Sequence, residues 1–127
     1  MDVLIRYGFT IDEIKSMMDA NEQIDEVHDQ DVSSLIELLE KVGCTRQIIK
    51  NIFLCNPFFL SRNGKEVQCL LDKLYEIGCT YLYLLFDHNP YLLSYKDTDI
   101  EAIYNQKRSL GFSKDEILDE LYSNIFY

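Results

Sequence analysis

The sequence predicts an all-α fold, a short α-solenoid of about three and a half helix-helix-turn repeats. Two observations carry this. A Gly-x-Thr/Ser signature recurs at Gly8-Phe9-Thr10, Gly43-Cys44-Thr45, Gly78-Cys79-Thr80 and Gly111-Phe112-Ser113, at spacings of 35, 35 and 33 residues. Apolar residues also recur at helical spacing ahead of each glycine, and repeats of this length are the mark of stacked supersecondary units. The 127 residues suit one domain, with units of approximately 1–29, 30–62, 63–95 and 96–127.

Each unit opens with helix A. Val32, Leu35, Ile36, Leu39 and Val42 are matched by Val67, Leu70, Leu71, Leu74 and Ile77, the three-and-four spacing of one apolar stripe. The next copy reads Ile100, Ile103, Tyr104, Lys107 and Leu110, where the aliphatic stem of Lys107 can still cover apolar surface. The first copy starts inside helix A, with Met1 and Leu4 on the stripe, and the last closes at the end of helix B. The glycine stops the helix because it accepts a left-handed conformation that a Cβ opposes.

Helix B follows a cap at Thr10, Thr45, Thr80 or Ser113. Thr10 with Glu13 and Ser113 with Glu116 have capping-box spacing. Counted from the glycine, its core positions are Ile14, Ile49, Leu84 and Ile117, with Met18, Phe53 and Leu121 one turn on. Thirteen residues beyond the glycine stands Asn21, Asn56 or Asn124, while in the third copy Asn89 arrives two residues early. Asn56-Pro57 and Asn89-Pro90 end the helix, since the residue before proline is pushed out of helical space. The following turn is predicted to be a short 3₁₀ helix that buries Phe59, Leu60, Leu92 and Leu93. Residues 21–31 replace that turn by an acidic connection, either a loop or a solvated short helix.

Composition bounds the function. Twelve basic against 22 acidic side chains give a net charge of −10, which opposes a polyanion at long range. Residues 1–42 carry 3 basic and 11 acidic side chains, whereas residues 43–77 carry 5 basic and 3 acidic. Any phosphate contact is therefore expected in the middle, through Arg46, Lys50, Arg62, Lys65 and Lys73, with Lys107 and Arg108 as an extension. The alternative is a solvated face paired with carboxylates. Residues 19–40 hold eight carboxylates and no Lys or Arg; Asp25, Glu26, Asp29 and Asp31 are the candidate surface for a basic partner, the alternative being simple solubility. Six of nine tyrosines fall within residues 75–104. Tyr81, Tyr83, Tyr91 and Tyr95 are candidate partner contacts, because tyrosine combines a rigid ring with a polar tip; the alternative is a half-buried core with wet hydroxyls. Tyr81 takes the place of Ile11, Arg46 and Lys114, so it is the one expected to be most exposed.

Catalytic and metal chemistry find no support. Cys44 and Cys79 replace Phe9 and Phe112 and read as small packing groups. Cys55 and Cys69 complete the four thiols without a Cys-x-x-Cys pair, and His28 and His88 are isolated from them. Asp87-His88 lacks a nucleophile, and four of five glycines are spent as helix stops. No cofactor, no metal and no membrane span are expected. A Met-Asp-Val-Leu-Ile-Arg start without a signal-peptide pattern predicts the cytoplasm.

Leu110-Gly111-Phe112-Ser113-Lys114-Asp115-Glu116-Ile117 and Asn89-Pro90-Tyr91-Leu92-Leu93-Ser94-Tyr95 resemble the repeats of the mitochondrial transcription termination factor (mTERF) family, over nearly the whole chain. The resemblance implies a superhelix of three-helix units whose concave groove binds double-stranded nucleic acid through basic residues. Two other readings stand beside it. One is a protein-binding module or inhibitor that docks through an acidic, tyrosine-rich surface onto a protein partner, such as a basic nucleic-acid-handling protein. The other is a structural domain that homodimerises through its ends.

Overall fold

The computed structural model describes residues 2–21 and 28–123. They contain eight α-helices and two 3₁₀ turns, without a strand: α1 (Asp2–Tyr7), α2 (Ile11–Ala20), α3 (Asp29–Lys41), α4 (Arg46–Cys55), a turn at Pro57–Ser61, α5 (Gly64–Glu76), α6 (Leu82–His88), a turn at Pro90–Ser94, α7 (Asp97–Ser109) and α8 (Lys114–Tyr122). The odd-numbered helices lie side by side as one layer, and the even-numbered helices form a second. The 3₁₀ turns pack on α2, α4 and α6 as a third row. Successive units therefore meet like with like, the arrangement of a helical solenoid.

The stripes expected of helix A face the seam between layers. Leu4, Val32, Leu35, Leu39, Val67, Leu70, Leu74 and Ile100 are all fully buried, and one continuous apolar cluster runs from Val3 to Leu121. All four recurring glycines adopt positive φ, 112°, 96°, 115° and 98°. At Gly43 the amide donates to the Glu40 carbonyl at 3.0 Å and Cys44 N–H to the Leu39 carbonyl at 3.1 Å, a Schellman closure that satisfies two orphan carbonyls. In α7 the stripe is weaker than its sequence suggests, because Leu110, expected on it, is exposed. Lys107 is half-buried and sits 5.2 Å from the Phe112 ring centroid, its ammonium 2.6 Å from Glu120, while Leu110 is 69% exposed.

Repeated Asn-Pro turns tie one unit to the next. Asn21 Nδ2 donates to Ser61 Oγ at 2.8 Å and to the Pro57 carbonyl at 3.2 Å. Asn56 Nδ2 repeats this on Ser94 Oγ at 2.8 Å and the Pro90 carbonyl at 3.5 Å. Both asparagines are buried, so these bonds are the partners that their amides need away from water. Asn124 and Met1 lie outside the described residues.

Three expectations for helix B need correction. Leu84 is not core: it is 39% exposed, and α6 buries Leu82, Leu85 and Phe86. Thr80 does not cap α6; Tyr81 stands at that position and offers no side-chain acceptor. In α2 the buried sulfur is Met17, with Met18 only half-buried. The first two errors share one cause. Counting back from asparagine pairs Leu82, Leu85 and Phe86 with the buried Ile49, Ile52 and Phe53. The asparagine end fixes the register, and the two missing residues come out of the first turn.

Candidate macromolecule-binding surfaces

Two edges run along the solenoid, one at the glycine turns and one at the Asn-Pro turns. The structure distributes the predicted site residues between them. Asp29 and Asp31 stand in the first turn of α3, at the Asn-Pro edge, and Asp25 and Glu26 lie outside the described residues. Tyr81 and Tyr83 come together at the glycine edge, their rings edge-on with centroids 6.2 Å apart. Tyr91 is exposed on the second 3₁₀ turn. Tyr95 is half-buried against the core, and burial raises its hydroxyl pKa. The acids of α3 and the tyrosine pair thus occupy opposite ends of the helices.

The five central cations are also separated. Lys50 pairs with Glu13 at 3.5 Å and lies 5.5 Å from the Phe9 ring centroid. Lys73 bridges Glu76 at 3.0 Å and Glu101 at 3.8 Å, and the Glu76 contact is the first cause of its raised pKa. Arg62 donates to the Leu93 carbonyl of the next unit and stands 4.0 Å from Glu66; burial is the main influence lowering its pKa. Arg46 is exposed and stacks on Tyr7, 4.9 Å from the ring centroid. Lys65 is exposed at the start of α5, and Arg108 is exposed at the end of α7.

Arg62 and Lys65 line a groove of about 840 Å³ between α3 and the start of α5, together with Lys41, Asp31, Glu37 and Gln68. Its walls mix both charges. No cluster of three His, Cys, Asp or Glu side chains among the described residues could hold a metal ion. Cys44 and Cys79 are buried, which pushes their thiols up to about 12. They stay protonated and serve packing. Among the described residues no helix is long and apolar enough to cross a membrane.

Two features escaped sequence reasoning. Ser61 and Ser94 are acceptors for the previous unit's asparagine; the signal was present, a serine closing both Asn-Pro segments. The glycine turns also carry side chains from the following unit. A Cβ at Gly43 would stand 3.0 Å from Tyr83 Cδ1, one at Gly78 2.6 Å from Lys114 Cε, and one at Gly8 3.8 Å from Arg46 Nη1. Here glycine serves close approach as well as φ.

No curated protein and no solved structure matches the chain. A model of one family does match it, over residues 1–123. That span includes every repeat described above, and the chain therefore belongs to the mTERF family.

Proposed function

We propose that the chain is a non-enzymatic binding module that takes a protein partner through its acidic helical faces. The observation that carries this reading is that three of the five central cations are spent on the chain itself, while the other two, Arg46 and Lys65, stand at opposite edges. Lys50, Arg62, Lys73 and Lys107 all meet carboxylates of the chain itself. Asp31, Glu37, Glu40 and Asp72 on α3 and α5 are meanwhile exposed. A phosphate backbone is held by several uncommitted cations, whereas ordered carboxylates attract a basic protein surface, including the phosphate cleft of a nucleic-acid-handling protein. Occupying such a cleft would inhibit that protein.

Direct nucleic-acid binding is the second reading. Family membership supports it, as do Lys65 and Lys41 around the groove. One comparison separates the two. Fluorescent double- and single-stranded DNA and RNA are titrated at low salt against the wild type and against a variant with Arg46, Lys50, Arg62 and Lys65 changed to Gln. Pull-downs compare the wild type with a variant carrying Asp25→Asn, Glu26→Gln, Asp29→Asn and Asp31→Asn. The protein-partner reading expects no salt-sensitive nucleic-acid binding and loss of capture by the acid-neutralised variant. Tight binding that weakens steeply with salt and disappears in the Gln variant would overturn it. A homodimer is the third reading, and a mass staying near 15.0 kDa at high concentration would exclude it.

A further inference from the structure

We infer that the glycine edge is a second docking surface, for a protein segment that presents carboxylates on either side of an apolar stretch. This goes beyond the acidic faces and works with the opposite charge. The edge is built one side chain per unit. Arg46 of the second unit lies over Gly8, Tyr83 of the third over Gly43, and Lys114 of the fourth over Gly78. Tyr81 stands edge-on to Tyr83, so a cation, two rings and a cation follow one another along the solenoid. Ile11 holds the same register position in the first unit.

Each of these side chains is open to solvent. Tyr81 is 59% exposed and Ile11 65%, and Arg46 and Lys114 are exposed too. Neither cation makes an ion pair among the described residues; Arg46 rests on the Tyr7 ring instead. Acidic residues are missing where the rest of the chain has them. The first turns of α2 and α8 hold Asp12, Glu13, Asp115 and Glu116, while those of α4 and α6 hold none. Glu40 and Glu76 stand at the same edge, at the ends of α3 and α5, but Lys41 adjoins Glu40 and Lys73 pairs with Glu76 at 3.0 Å, so Arg46 leaves the middle of the edge with a small excess of cations. Arginine and tyrosine are also the residues that anchor protein interfaces most often.

The charge pattern selects the occupant. Two cations separated by a tyrosine pair and by a full repeat cannot match a phosphate at every nucleotide, and the net charge repels a long polyanion. A peptide with two or three carboxylates around aliphatic residues matches both the charges and the rings.

The test is selection from a phage-displayed library of random twelve-residue peptides against the full chain. Enriched peptides should combine acidic and apolar residues. Their affinity should fall at least tenfold on Arg46→Glu with Lys114→Glu, and at least threefold on Tyr81→Ala. Lys15→Glu, the same charge change per residue on an exposed position of α2, should leave affinity unchanged, and circular dichroism should show native helicity in all variants. Failure to enrich any peptide, or enrichment of peptides without carboxylates, would overturn the inference. So would equal loss on Lys15→Glu, or displacement of the peptides by a thymidine dodecamer. None of these results bears on the basic partner expected for the acidic faces, so the two readings fail separately.

Discussion

The second and third units share one plan, yet their B helices begin differently. Helix α4 has ten residues and a threonine cap, Thr45 Oγ1 accepting from Ile48 N–H at 3.3 Å. Helix α6 has seven residues and starts at Tyr81 without a side-chain acceptor. Both end alike, in a buried asparagine before proline. In a stacked array the contact surface between units is conserved at the expense of free helix ends. At Asn56 that end bonds the neighbouring unit, and in α6 it carries the buried Leu85 and Phe86, so it holds register. The capped end faces solvent and absorbs the deletion.

The largest expected effects test whether the two units share the asparagine register. Phe53 and Phe86 are both fully buried, and each change to Ala should destabilise the chain by about 3–5 kcal/mol in chemical denaturation. Leu84→Ala should cost under about 0.5 kcal/mol, as an exposed position does. Should Leu84→Ala approach the cost of Ile49→Ala, the glycine register would be right after all and the comparison would break.

Next comes the tie itself. Asn56→Ala removes a donor from Ser94 Oγ and the Pro90 carbonyl and should cost about 1–3 kcal/mol. Ser94→Ala should cost less, because Asn56 keeps the Pro90 carbonyl. Equal stability of Asn56→Ala and wild type would show that packing alone couples the units.

Helix starts give a smaller difference. Thr45→Ala should cost about 1 kcal/mol, whereas Thr80→Ala should be near neutral, since α6 begins one residue later. A cost at Thr80 equal to that at Thr45 would restore the predicted cap.

These cases also show what was legible in the sequence. Glycine stops, caps at Thr10, Thr45 and Ser113, and the stripes of α3 and α5 are local signals, each decided within a few residues. The register of α6 was not, because two landmarks eleven residues apart, Gly78 and Asn89, disagreed and only the packing of Leu82, Leu85 and Phe86 into the core settles which is fixed. The surfaces were less legible still. Whether Lys50 is free depends on Glu13, and whether Lys73 is free depends on Glu101. Such pairings join residues about one repeat apart, where composition carries no information. Tyr81 was readable as an exposed ring, but the position of Tyr83 over Gly43, with Tyr81 edge-on beside it, follows from stacking alone.

The smallest effect separates outer from inner B helices by pH. Thr10 N–H donates to Glu13 Oε1 at 2.8 Å and Ser113 N–H to Glu116 Oε1 at 3.0 Å. These backbone bonds are the first cause holding both carboxyls below their ordinary value of 4.5. The folded state binds the ionised form, so the stabilisation is complete above the ordinary value and is lost as pH falls through the lowered one. In α4 the same place is Ile48, with no charge to lose. Glu13→Gln with Glu116→Gln keeps the acceptor oxygen but removes the charge. Its denaturation midpoint should lie slightly below that of the wild type at pH 7, and the gap should close as pH drops below the carboxylate range. The cost of Thr45→Ala should stay flat over the same range. A gap for the double variant that persists in acid would mean that the carboxylate charge contributes nothing, and that inner and outer helices are capped by hydroxyls alone.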